Sequence, residues 1–176
     1  MRVGSRRPGL PAAVSASLGL RSGERVLAAA VDDDTGAYVV ATTFALVVVP
    51  QPASERQPPQ RRPWHLVDSG VWQHETSTLT VTWVDGARPG QWTFRDQRTL
   101  LPETLRERVQ ASVVLATRLT LGGRRSARVA IRQDLATREL IPQTVLARGT
   151  RADDAEVADQ ISRAMADLLD QVGLAP

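Results

Sequence analysis

The stretch from Trp64 to Trp92 reads WHLVDSGVWQHETSTLTVTWVDGARPGQW, and it decides the fold of this chain. It contains all four tryptophans of the 176-residue sequence. At its centre, threonines alternate with Leu79, Val81 and Trp83, which is the period-2 pattern of a β-strand with one buried and one exposed face. Turn residues flank this strand on both sides. The stretch therefore predicts an antiparallel β-meander whose inner, aromatic face forms the core.

The residues before the meander predict a first group of strands. Apolar segments at 25–31, 37–41 and 44–49 read as three strands, and the last is apolar enough to be buried on both faces. Five of the eleven prolines fall between Pro50 and Pro63. Because proline, glutamine and arginine offer little apolar surface to bury, we expect a mobile, dispensable loop over 51–62.

Two helices and a hairpin are predicted after the meander. Apolar residues spaced three or four apart predict a helix near 102–116, and segments 127–131 and 140–146 predict a hairpin. A second helix is expected from Asp153, as its capping residue, to Val172, with Gly173 just beyond its end. Its apolar stripe comprises Val157, Ile161, Ala164, Met165, Leu168 and Val172. We expect this stripe to dock on the meander.

Length and composition limit the classes of protein to which this chain can belong. A chain of this length most often forms one domain, so we expect a single domain over 10–174 after a disordered basic tail, 1–9. The sequence has no cysteine, which excludes disulfides and thiolate chemistry. It has no apolar run of about 18 residues, so no transmembrane segment is expected. These features favour a cytoplasmic protein without cofactors.

The positive charge of the chain is concentrated near its N-terminus. Residues 1–25 hold five arginines and one acid, whereas the remaining residues hold 17 arginines and 18 acids. Binding to nucleic acid or anionic lipid requires a basic surface. We therefore expect the chain without residues 1–22 to bind neither at physiological salt. Weak, salt-dependent binding is expected only through the arginines of this segment, which are Arg2, Arg6, Arg7 and Arg21.

The order of apolar strands, proline-rich loop, tryptophan-bearing meander and helix resembles the pleckstrin-homology-like (PH-like) superfold in its bacterial form. Segments 23–27 and 40–47 carry this resemblance, the second being similar to the strand, threonine turn and strand of such domains. Residues 10–174 also resemble an uncharacterised actinobacterial family, through segments similar to 23–28, 75–79 and 106–114. The resemblance implies an α+β fold in which an antiparallel twisted sheet or partly open barrel is closed by the C-terminal helix. It implies no activity.

Three groups of residues are candidate sites. The carboxylates of Asp32, Asp33 and Asp34 could bind a hard cation, but they lack the spacing of an EF-hand loop, so a solvated hairpin turn is the simpler interpretation. His65 and His74 are the only histidines, and two do not make a zinc site without a third ligand. The segment 122–125, Gly-Gly-Arg-Arg, could hold a phosphate, although the surrounding Walker pattern is missing and a basic hairpin turn is the simpler interpretation.

Two functions from different classes remain open. We favour a non-catalytic interaction or scaffold domain that binds a protein or peptide partner, and we assign it no catalytic, cofactor or metal residues. The alternative is a small enzyme with a site built from Arg, Asp, Glu and His residues scattered along the sequence. A perturbed carboxylate or histidine inside a cleft would favour the enzyme, whereas a shallow surface with an exposed apolar groove would favour the interaction domain.

Overall fold

A computed structural model describes residues 9–50 and 58–174. Within these ranges the chain is an α+β protein with three helices and three antiparallel sheets, none of which closes on itself. The chain divides into two compact units, residues 1–110 and residues 111–176. Residues 1–8 of the predicted tail and the proline-rich segment 51–57 lie outside the described residues, and the expectation of a single domain stays a prediction.

The first sheet of unit 1 follows a short helix, α1 (Ala12–Ser17). Its four strands pair in chain order: β1 (Val26–Val31), β2 (Tyr38–Thr42), β3 (Ala45–Val49) and β4 (Gln60–Pro63). Val14 and Leu18 pack with buried β2 and β3 residues in one apolar cluster. A chain that lacks residues 1–22 would therefore lose part of this core. A lipid or DNA binding test should instead use a chain that begins at Gly9.

Strand β4 corrects the prediction of a loop over 51–62. Gln60 to Pro63 pair with β3, and the Arg61 guanidinium binds the buried carboxylate of Glu24. That carboxylate also accepts hydrogen bonds from the Thr42 hydroxyl and, at 2.9 Å, from the Arg21 backbone N–H. The last three residues of the predicted loop, 60–62, therefore belong to an edge strand.

The second sheet of unit 1 is the predicted meander. A short 3-10 helix, Trp64–Leu66, leads into β5 (Val67–Gln73), β6 (Thr78–Trp83) and β7 (Gly90–Thr93). The antiparallel order β5-β6-β7 confirms the meander. The tryptophans divide into two pairs: Trp64 and Trp92 are buried, whereas Trp72 and Trp83 are only half-buried. Only part of the aromatic face therefore belongs to the core.

The helix predicted over 102–116 is shorter than expected. Helix α2 covers Leu101–Ala111, and β8 (Val113–Thr120) follows it directly. The boundary lies at Ser112, whose buried hydroxyl accepts a 3.0 Å hydrogen bond from Nε of Arg132 and whose carbonyl accepts one from the Gln133 N–H. These contacts draw the chain into a sheet ladder, and the β-branched Val113 and Val114 that follow Ser112 favour extended backbone even though both are exposed.

Unit 2 is a three-stranded sheet covered on one face by a helix. The predicted hairpin is confirmed as β9 (Ser126–Gln133) and β10 (Leu140–Leu146), and β8 pairs with the other edge of β9. Helix α3 (Ala155–Gln171) lays its apolar stripe on this sheet, against Val129 and Ile131. The expected docking of the C-terminal helix on the meander is therefore wrong, because β8 to β10 supply the apolar partner.

Both ends of α3 have the chemistry that the sequence suggested. Asp154, one residue after the predicted Asp153, is the N-cap and accepts hydrogen bonds from the Glu156 and Val157 N–H groups. Gly173 adopts φ of +73° just beyond the last turn, where glycine avoids the strain of a Cβ atom. The N–H of the next residue bonds the Leu169 carbonyl at 2.8 Å, which closes the helix.

Candidate binding groove

An open groove lies in unit 1 between α2 and the face of β5 and β6, with a volume of about 340 Å³. The sheet contributes alternate positions of β5 and the turn after it, together with Leu79. The helix contributes one side, which includes Leu105 and Val109. The full lining is Gly70, Trp72, His74, Leu79, Pro102, Glu103, Leu105, Arg106, Val109 and Gln110.

Gly70 sets how closely α2 approaches the sheet. A Cβ atom at this position would overlap a terminal methyl of Leu105. Leu105 is buried, so the absence of a side chain at Gly70 lets the helix pack directly on β5. The groove begins where this contact ends, beside Trp72.

The Trp72 indole forms the aromatic wall of the groove. Its ring stacks on buried Phe94, with centroids 6.4 Å apart and an interplanar angle of 17°. Its Nε1–H donates a 3.0 Å hydrogen bond to Nδ1 of His74, whose ring meets it edge-on. The indole is thus held on one side by stacking and on the other by an exposed imidazole.

Two side chains of opposite charge lie on the helical side of the groove. Glu103 and Arg106 of α2 are exposed at its lining, and Gln110 adds an amide. Leu79 and Leu105 are buried beneath them. The arrangement is an apolar floor with a polar rim, which suits the insertion of an apolar side chain while flanking polar groups stay in contact with water.

The aspartates lie in the turn between the paired strands β1 and β2, as predicted, and Asp33 and Asp34 are exposed, but Asp32 is not solvated. Asp32 is buried, and its carboxylate accepts hydrogen bonds from the Thr93 N–H at 2.8 Å and from both the N–H and the hydroxyl of Thr35. The Asp33 carboxylate accepts a 2.6 Å bond from the Arg95 N–H. These bonds join the first sheet to the end of β7, so the carboxylates serve the fold of unit 1.

The other candidate residues are not brought together. His65 is buried in the 3-10 helix, whereas His74 is exposed at the groove. The 122–125 segment is the hairpin turn between β8 and β9, where the Arg125 guanidinium lies 2.7 Å from the N-cap carboxylate of α3, Asp154. In the described ranges, no three His, Asp or Glu side chains are grouped so that they could hold a metal ion.

The buried carboxylate of unit 1 whose pKa is perturbed, Glu24, lies outside the groove. Burial raises the pKa of Glu24, but hydrogen bonds from the Arg21 N–H, the Thr42 hydroxyl and Arg61, together with the charge of Arg61, outweigh burial and lower the pKa below its ordinary 4.5. Glu24 is therefore an ionised anchor for β4 and for the segment between α1 and β1, not a proton donor in a cleft.

This lowered pKa predicts a specific acid sensitivity. A carboxyl group whose pKa is lower in the folded than in the unfolded state stabilises the fold above the unfolded pKa, and this stabilisation is lost as the pH falls through the folded pKa. We expect the free energy of unfolding to decrease as the pH falls below about 4.5, and Glu24→Gln to flatten part of that decrease. Urea denaturation at a series of acidic pH values measures it, and an identical slope in both proteins would contradict it.

Comparison with protein-family models, curated proteins and solved structures finds no match to this chain. In the part of the chain that the structure describes, none of the helices has both the length and the apolar character that crossing a membrane requires.

The sequence contains only partial signals for the groove. Alternation along β5 and β6 placed Trp72 and Leu79 in a meander, but a core role was expected for the tryptophan. The α2 residues of the groove were missed, because Pro102, Arg106 and Val109 read as ordinary helix positions. The contact of Gly70 with Leu105 joins residues far apart in sequence, and no local pattern indicates it.

Proposed function

We propose that this chain is a non-catalytic interaction protein whose groove between α2 and the meander binds a protein or peptide partner through an apolar side chain. The observation that carries the proposal is the groove itself, with Trp72 on one wall, Pro102 and Val109 on the other, and buried leucines as its floor. Exposed aromatic and aliphatic surface gathered in a concave site is typical of binding sites for partners.

The dimensions of the groove favour a side chain over a large cofactor. A volume of about 340 Å³ lies near the lower end of the range for ligand sites. β5 also lies at the edge of its sheet. A partner segment in extended conformation can therefore pair with β5 while one of its side chains enters the groove. We propose an extended peptide segment as the partner.

The PH-like resemblance bears on the fold of unit 1. The order of apolar strands, proline-rich segment, meander and helix is completed within unit 1, with α2 as the helix that follows the meander. We propose that unit 1 is the PH-like domain of an actinobacterial family and that α2 closes it, in place of the C-terminal helix. Unit 2 is then an addition to that pattern.

The enzyme alternative ranks below this proposal. His74 is the histidine at the groove, and its Nδ1 already accepts the Trp72 N–H. In that arrangement the neutral imidazole carries its proton on Nε2, so neither ring nitrogen faces the groove as a free base. Glu103 and Arg106 are exposed on the helix, where water competes for their charges.

A peptide selection tests the proposed function. The full chain is panned against a phage-displayed library of random peptides, and the affinities of selected peptides are measured by calorimetry. We expect these peptides to share one large apolar residue, and Trp72→Ala to weaken their binding by about 30-fold, as truncation of an interface anchor of about 2 kcal/mol would.

Trp83→Ala is the matched control. Trp83 is a half-buried tryptophan of the same meander, but it does not line the groove, and its indole donates to the Arg88 carbonyl. Its truncation should leave peptide affinity unchanged. Selected peptides that bind Trp72→Ala as tightly as the unaltered chain would contradict the groove as the binding site.

A further inference from the structure

The charged rim of the groove consists of Glu103 and Arg106, which helix α2 presents side by side. Both side chains are exposed, and both line the groove. Residues three apart on a helix lie on the same side of it, separated by about 4.5 Å along the axis. The rim therefore places a negative and a positive charge next to each other above an apolar floor.

These two charges have no ionic partner within the ranges that the structure describes. Glu103 and Arg106 have the spacing of a helical ion pair, yet neither side chain forms an ion pair or a hydrogen bond with another described residue. Glu107 and Arg108 of the same helix, which do not line the groove, pair with each other at 3.1 Å. The charges at the groove are thus the ones that α2 offers to an external group.

The helical side of the groove matches a short extended segment in length. Its lining residues run from Pro102 to Gln110, which is about 12 Å of helix at a rise of 1.5 Å per residue. An extended chain rises about 3.3 Å per residue, so about four residues cover this distance. A residue of such a segment can fill the groove while the longer side chains on either side of it reach the rim.

We propose that the partner of this groove is an extended peptide segment of mixed charge, in which one large apolar residue is flanked by a basic and an acidic residue. The basic side chain pairs with Glu103 and the acidic one with Arg106, so the rim sets the direction in which the segment lies along α2. Complementary charges fix register and exclude wrong partners more than they add affinity. This inference rests on the proposed function, because it specifies which peptides the same groove accepts.

Parallel selections test the recognition of charge. The same random peptide library is panned against the full chain and against a charge-swapped chain, Glu103→Arg with Arg106→Glu, which keeps the net charge and the apolar floor. We expect the unaltered chain to select peptides with a basic and an acidic residue on opposite sides of the apolar anchor, and the swapped chain to select the reverse order. Peptides selected by the unaltered chain should bind the swapped chain about tenfold more weakly at low salt.

Single variants separate recognition from stability. Glu103 lies in the first turn of α2, where an acid stabilises the helix end, so a thermal melt accompanies each variant. Glu103→Gln and Arg106→Gln each remove one charge, and each should weaken peptide binding about threefold at low salt and less at high salt. Glu107→Gln, on the same helix but outside the groove, should leave peptide affinity unchanged.

The outcomes distinguish the mixed-charge motif from the groove itself. Selected peptides that lose affinity in Trp72→Ala, but carry no charged flanks or keep the same charge order with both chains, would overturn the motif and leave the groove as the binding site. Selected peptides that bind Trp72→Ala undiminished would overturn the groove, and the motif with it.

Discussion

A carboxylate in the middle of the α3 stripe is expected to disrupt unit 2. Ile161 packs against both apolar clusters that hold α3 on its sheet, one around Val157 and the other around Val129 and Ile131. Ile161→Asp removes these apolar contacts and places an unpaired charge among them. We expect the free energy of unfolding to fall by about 4 kcal/mol. Urea denaturation followed by far-ultraviolet circular dichroism measures the change.

Ala166→Asp is the matched control on the same helix. Ala166 is exposed, so the same carboxylate stays in water and the expected loss is only the lower helix propensity, about 0.5 kcal/mol. All four tryptophans lie in unit 1, so their fluorescence reports the unfolding of that unit separately. An Ile161→Asp protein with the midpoint of the unaltered chain would contradict the packing of α3.

Local sequence patterns correctly predicted the strands and helices that are determined by residues within the element itself. The alternation of threonines with Leu79 and Val81 gave β6, and the capping residues placed the ends of α3 within one or two positions. In these segments the residues that form the pattern lie close together in sequence, so the element can be recognised before its packing partner is known. The prediction of an α+β chain with antiparallel sheets and a C-terminal helix is confirmed for the same reason.

The errors occurred where distant contacts decide the structure. The spacing of Leu105, Val109 and Val113 continues a helical pattern across Ser112, but the bonds of Ser112 to Arg132 and Gln133 end the helix. The apolar stripe of α3 predicted that the helix packs on an apolar surface, but it does not specify which sheet provides that surface. Asp32 read as a solvated residue because its partner, Thr93, is 61 residues away.

To locate the groove, local sequence patterns had to be combined with contacts between distant residues. Sequence alternation put Trp72 on one face of β5, but tryptophan has the same pattern whether it is buried or lines a binding site. Two features of the structure distinguish Trp72 from the buried Trp92. One is the packing of Leu105 against Gly70 beside Trp72, and the other is the hydrogen bond that the Trp72 indole donates to the His74 side chain. A glycine at an alternating position of a strand is the sequence signal that could have indicated the close approach of another element.

Removal of the Arg61 side chain is expected to have the second large effect. The Glu24 side chain is fully buried, and Arg61 is its one charged partner among the contacts that the structure describes. Arg61→Ala leaves that carboxylate buried with two hydrogen bonds and no opposite charge. We expect the free energy of unfolding to fall by about 3 kcal/mol, at the lower end of the range for breaking a buried ion pair.

The next residue of β4 provides the control for this prediction. Arg62 pairs with Asp85 at 2.6 Å and lies over the Trp83 ring, but both ionic partners are substantially exposed. Because water screens such pairs, Arg62→Ala should lower the free energy of unfolding by much less than Arg61→Ala does. In the double variant Glu24→Gln, Arg61→Ala no charge is left buried, so part of the loss should be recovered. Equal losses for the two arginines, or no recovery in the double variant, would show that the Glu24 carboxylate does not depend on Arg61.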